Sequence, residues 1–131
     1  VILVDTSVWI DYFNGIENKQ TEGLDRILSE QSVLVGDIIL TEILQGFDRD
    51  KDFKLAKQAL DPLDCVHLGS KTLAIKAASN FRFLRSKGVT IRKTVDMLIG
   101  SWCIEHEVEL LHNDKDFDQI ATQLPLQIYA D

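Results

Sequence analysis

An α/β fold with a mostly parallel sheet, covered by helices on both faces, is the architecture this chain predicts. Three observations carry it. Short, β-branched apolar runs alternate with stretches of helical spacing along the whole chain. The first run, Val1–Val4, is apolar at every position, as strands buried on both faces are. The 131 residues and 45% hydrophobic content suit one domain, residues 1–131, around one core.

Taken in order, Val1–Val4 is the first strand. Thr6 or Ser7 can cap a helix through Phe13, which Asn14-Gly15 stops. Thr21–Glu30 places Leu24, Ile27 and Leu28 at helical spacing, and Val33–Val35 is a second strand. Asp37 caps a helix with Leu40, Ile43, Leu44 and Phe47 on one face. Asp52–Leu60 is a helix with Phe53, Ala56 and Leu60 inward, broken by Pro62, and Cys65–Leu68 is a third strand. Ser70 caps a long helix to Lys87, striped by Ala74, Ala77, Ala78, Phe81 and Leu84 as core or a dimer face and ended by Gly88. Thr94 caps Val95–Glu105. Glu109–His112 is a strand, Asp116–Ala121 a short helix and Leu126–Tyr129 a last strand.

No apolar run approaches the roughly 20 residues of a membrane span, and the N-terminal run is too short for a signal sequence. A cytoplasmic protein is expected. Cys65 and Cys103 form no C-x-x-C pair and read as buried thiols. The net charge of −7 argues against a nucleic-acid partner when taken whole, but the charge is segregated. Cys65–Val95 contains no acid and holds Lys71, Lys76, Arg82, Arg85, Lys87, Arg92 and Lys93. A basic face for phosphates beside an acidic pocket and a solvated helix flank fit that pattern equally.

Four acids stand where acids normally cost stability: Asp5 after the first strand, Glu42 and Asp96 in apolar helix starts, and Asp114 after the strand Glu109–His112. A buried carboxylate must be paired, neutralised or metal-bound. Sites of open parallel sheets lie at the carboxyl ends of strands, and these four positions face that edge. If they converge, a hard divalent cation is the natural occupant, and metal-assisted phosphoryl chemistry follows. Thr6 or Ser7 can hydrogen-bond a carboxylate there, and Asn113 can fix Asp114. Asp5 also has a plainer role as a helix cap, and Glu42 and Asp96 as first-turn acids. The Asp114-Asp116-Asp118 and Asp48-Asp50-Asp52 series fail as calcium loops for lack of the required glycine and glutamate. His67, His106 and His112 show no zinc spacing, and His112 reads as a structural strand-end residue.

The segment Val4-Asp5-Thr6-Ser7-Val8-Trp9-Ile10 resembles the opening motif of PIN-domain ribonucleases. Thr41-Glu42-Ile43-Leu44-Gln45-Gly46 resembles their second acidic motif and Val95-Asp96-Met97-Leu98-Ile99-Gly100 the third. Leu111-His112-Asn113-Asp114-Lys115-Asp116-Phe117 resembles the fourth. Length and motif style are nearest the VapC toxins of toxin–antitoxin pairs. The resemblance implies a three-layer α/β/α domain and a Mg²⁺- or Mn²⁺-dependent endoribonuclease. It also implies a homodimer and a VapB-type antitoxin partner. It makes Asp5, Glu42, Asp96 and Asp114 the metal-binding and catalytic acids, with Asp116 as accessory acid. Hydrolysis would leave a 3′-hydroxyl and a 5′-phosphate. RNA would approach along the basic segment, toward Arg82, Arg85, Arg92 or Lys93. Two other readings compete: a different metal-dependent phosphoryl-transfer enzyme, and a non-catalytic acidic pocket that docks a basic partner peptide.

Overall fold

The sheet has four strands, β1 (Ile2–Val4), β2 (Val33–Gly36), β3 (Asp64–Val66) and β4 (Glu109–Leu111). In this computed structural model, which describes residues 1–130, they stand in the order β3-β2-β1-β4 with every pairing parallel. The chain builds outward from β1 through β2 to β3, then crosses back to lay β4 on the other flank of β1. That reversal opens a crevice at the carboxyl ends of β1 and β4, where open parallel sheets place their sites. The Asp5 N–H donates to the Leu111 carbonyl at 2.9 Å, so the two strand ends stay in register as they leave the sheet.

Seven helices among the described residues cover this sheet in the three-layer α/β/α arrangement. They are α1 (Thr6–Phe13), α2 (Lys19–Glu30), α3 (Asp37–Gln45), α4 (Asp50–Leu60), α5 (Lys71–Ser86), α6 (Thr94–His106) and α7 (Lys115–Ala121). The core joins β1 (Ile2, Leu3, Val4) to Trp9, Leu24, Ile27, Ile39, Ile99, Leu110, Phe117 and Ile120. Trp102 is buried as well. Gly15 and Gly88 end α1 and α5 with φ of 71° and 81°, where a side chain would be strained.

Several caps differ from expectation. Asp5, not Thr6 or Ser7, caps α1, accepting the Ser7 N–H. Lys93 precedes α6 and Thr94 is its first residue, without a side-chain cap. Gly36 precedes α3, and the Asp37 carboxylate instead receives the Ile38 N–H at 2.8 Å and the Leu68 N–H at 2.9 Å. α2 starts two residues before Thr21 because Asn18 and Thr21 form a reciprocal capping box.

Other departures follow from edges. β3 is an edge strand and stops at Val66, short of Leu68. Its Cys65 is exposed rather than buried, whereas Cys103 is buried. Phe53 is exposed, and the α5 stripe narrows to Leu73, Ala77 and Leu84, with Ala74 and Ala78 facing outward. Leu126–Tyr129 forms no strand; it gives one parallel bridge, Leu110 to Ile128, beside β4.

Gly36 shows how tightly the α3 entrance is closed. A Cβ there would collide with the fully buried Leu68 side chain. Gly36→Ala is expected to destabilise the protein by about 1–3 kcal/mol through overpacking. Urea denaturation reads the change as a lower midpoint at unchanged slope.

Candidate active site

The crevice collects acids from four parts of the chain. Asp5 leaves β1, Glu42 lies on α3, Asp96 in the first turn of α6, and Asp114 and Asp116 at the start of α7. Helix starts suit carboxylates, because their free N–H groups carry partial positive charge. Asp5 and Asp114 are in fact caps: Asp5 Oδ2 accepts the Ser7 N–H and Asp114 Oδ1 the Asp116 N–H, both at 3.0 Å. The capping role therefore falls on side chains that also line the crevice.

The closest set is Asp96, Asp114 and Asp116. One carboxylate oxygen from each lies within 4.8 Å of the others. Asp116 thus stands within the closest set of acids, alongside Asp96 and Asp114. Asp5 stands beside the set: its charge is the strongest of the neighbouring charges that disfavour ionised Asp96. Glu42 is half-buried and further out, held by the Thr6 hydroxyl at 2.6 Å, and its charge is felt at Asp5.

The electrostatics are unfavourable without a cation. Burial first, then Asp5 and Asp114, push the Asp96 carboxyl up to about 7, although Lys93 pulls the other way. Burial also raises Asp5, against the opposing hydrogen bonds from Ser7. Asp96 Oδ2 and Asp116 Oδ2 are buried with no hydrogen-bond partner. Buried oxygens of this kind normally have one. Orphaned oxygens on converging carboxylates fit Mg²⁺ or Mn²⁺, which take oxygen ligands and retain several waters.

A hydrogen-bond chain braces the crevice. Ser7 Oγ donates to Asp5 Oδ2 at 2.6 Å and receives the Asn113 N–H at 3.0 Å, joining the β1 and β4 exits. The Asn113 side chain does not hold Asp114; it donates to Asp11 Oδ2 at 3.3 Å, which also takes Asn18 Nδ2 at 3.1 Å. Asp11 carries no motif signal of its own, yet Ser7 and Asp11 are four apart and share one face of α1. Asp114 is fixed by His112, whose Nδ1 receives the Asp114 N–H at 3.1 Å.

The basic residues run from the rim into an adjoining groove, with Arg92 at both. Arg92 Nε lies 3.9 Å from Asp116 Oδ2 and Lys93 Nζ 3.8 Å from Asp114 Oδ2, both cations largely exposed at the rim. Arg82 lines a groove between α5 and α6 with Arg92, Phe81 and Met97, and Arg85 lies over the Phe81 ring. No helix among the described residues is long and apolar enough to cross a membrane.

Residues 2–123 match the PIN domain family model. The VapC ribonuclease Mb1587 of Mycobacterium bovis is 31% identical over 129 residues, covering 97% of this chain and 96% of that protein. VapBC2 of Rickettsia felis, solved bound to a DNA fragment from its promoter, superposes with a TM-score of 0.75 at 17% identity, over 98% of this chain and 96% of that one. VapC20 of Mycobacterium tuberculosis, a sarcin–ricin-loop-cleaving toxin, gives 0.65 at 17% identity, over 95% and 96%. At those identities the two structures speak for the fold. The motif order, the acid-lined crevice and the full-length relative agree: the chain belongs to the PIN-domain family, among its VapC-type ribonucleases.

Proposed function

We propose that this protein is a Mg²⁺- or Mn²⁺-dependent endoribonuclease, the toxin of a toxin–antitoxin pair, and that Asp5, Glu42, Asp96, Asp114 and Asp116 form its metal-binding active site. The observation that supports this most is the convergence of Asp96, Asp114 and Asp116 oxygens within 4.8 Å, with Asp96 and Asp116 each carrying a buried oxygen without a hydrogen-bond partner. When bound there, the ion supplies an acidified water and neutralises charge on the scissile phosphate.

The protein's own groups do the rest. Asp96, Asp114 and Asp116 supply the inner carboxylates, and Asp5 adds negative charge beside them. Ser7 holds Asp5 and Thr6 holds Glu42, each by a hydroxyl hydrogen bond to the carboxylate. Arg92 and Lys93, at the rim, meet the phosphates that flank the cut, whereas Arg82 lies farther along the α5–α6 groove and Arg85 over the Phe81 ring. The ion pairs of Arg92 and Lys93 with the acids are long, so incoming phosphates can take over these cations once the acids hold a metal.

The partners belong to the same reading: an RNA substrate, a VapB-type antitoxin and a second copy of the chain. The structural relatives include toxin–antitoxin assemblies. The exposed Ile75 and Phe83 of α5 give the homodimer an apolar face. The test is cleavage of labelled RNA in Mg²⁺ by the parent and by Asp5→Asn. The variant is expected to lose roughly 100-fold or more of the rate. Equal rates, with contaminating nucleases excluded, would sink the proposal.

A further inference from the structure

His112 is a buried polar group that the proposed cleavage leaves unused. Its ring is inside the protein, yet it stands at the exit of β4, two residues before Asp114. We propose that His112 is a positioning residue: its Nδ1 holds the Asp114 backbone so that the Asp114 carboxylate faces Asp96 and Asp116. This rests on Asp114 being a metal ligand.

The geometry gives each ring nitrogen a separate part. Nδ1 receives the Asp114 N–H at 3.1 Å. A ring nitrogen that accepts an amide proton carries its lone pair there, so the ring hydrogen sits on Nε2. Nε2 lies 3.2 Å from Asp118 Oδ1, close enough for attraction though outside hydrogen-bond alignment. The Phe117 ring lies against the imidazole at a centroid distance of 5.2 Å and a tilt of 50°. Phe117 packs against the ring, the ring's Nδ1 takes the Asp114 amide, and Asp114 Oδ1 caps α7 through the Asp116 N–H. Two of the three inner acids hang on this one imidazole. The arrangement parallels the partners that orient ligands around metal centres, whose loss commonly costs 10–100-fold in affinity (roughly).

A buried histidine that serves only packing would make a different prediction. Leucine would then replace it without functional loss, and the identity of the acceptor atom would not matter. Asparagine separates the two cases, because its Oδ1 falls near the place of Nδ1. Glutamine reaches only the place of Nε2.

Mn²⁺ affinity should be measured by calorimetry on the parent, His112→Leu, His112→Asn and His112→Gln, with thermal melts alongside. The expected result is a roughly 10- to 100-fold loss for Leu and Gln and recovery to within a few fold for Asn. Metal-free nitrogen NMR of the parent should show an unprotonated Nδ1, a protonated Nε2 and a slowly exchanging Asp114 amide. A His112→Leu protein that binds Mn²⁺ as tightly as a binding-competent parent overturns the positioning role alone. A protonated Nδ1 in the parent does so too, even if the variants fail to fold. A parent that binds no Mn²⁺ overturns both this role and the metal site it serves.

Discussion

Asp96→Asn is expected to cut RNA roughly 100- to 1,000-fold more slowly than the parent and, once stripped of metal, to be the more stable of the two at pH 8. The first effect follows from placement. Asp96 is buried at the start of α6, within 4.8 Å of both other inner carboxylates through one oxygen each. An amide keeps the shape but removes the charge that holds a hard cation. The second effect follows from cost. Asp5, Asp114 and Asp116 all disfavour a charge at Asp96, and burial disfavours it more than any of them. Asparagine carries no charge to be repelled. Single-turnover cleavage of labelled RNA in Mg²⁺ checks the first effect, and thermal melting in EDTA at pH 8 checks the second. A variant that is inactive but melts lower than the parent would show that Asp96 mainly supports the fold, and the electrostatic account would be wrong. Opposite signs for activity and stability are the pattern of a site whose acids the fold tolerates for the sake of its chemistry.

Much of this was legible because the signals were local and repeated. β1 and β4 are short, largely apolar runs, and an acid follows each, Asp5 directly and Asp114 after His112 and Asn113, so the sheet edge and its charges were close together in the sequence. What the sequence did not reveal depends on how separate stretches meet. The role of Asp5 as a cap was visible as a possibility, whereas that of Asp114 was not, and neither cap takes its carboxylate out of the crevice. Asp116 follows Asp114 by two residues, and only the turn into α7 decides that both face Asp96. His112 looked structural because one residue of sequence cannot show which amide its Nδ1 will meet. Cys65 looked buried because its neighbours are apolar, but β3 proved to be the sheet's edge, a property of strand order rather than of composition. The basic run from Lys71 to Lys93 was plain, yet which of its cations reach the rim acids and which line the groove depends on the packing of α5 on α6.

The metal-free protein should also lose stability as pH rises from about 5 to about 8, and added Mn²⁺ should reverse the trend. The sign comes from Asp96, whose carboxyl moves from an ordinary 3.8 up to about 7 in the fold. Below the unfolded value, Asp96 is protonated in both states. Between the two values the unfolded chain ionises while the folded protein keeps its proton, so the unfolded state gains relative to the folded one. Above about 7 both forms are ionised and the full penalty is felt. Each tenfold change in acid strength corresponds to about 1.4 kcal/mol, which bounds the effect at about 4 kcal/mol. Water at the half-exposed Asp114 mouth and the Lys93 ammonium reduce it, so about 1–3 kcal/mol is expected. Asp5, raised by burial, acts in the same direction. On the proposed reading Mn²⁺ would bind the ionised acids, so its contribution to stability would grow over the same interval as protons leave. Urea denaturation at both pH values, in EDTA and in Mn²⁺, measures all four stabilities. Asp96→Asn serves as the reference, because subtracting its pH dependence isolates that of Asp96 from every other titrating group. A metal-free parent that gains stability toward pH 8 relative to Asp96→Asn would mean that Asp96 is already neutralised within the protein, and a crevice in that condition would have little attraction for a cation.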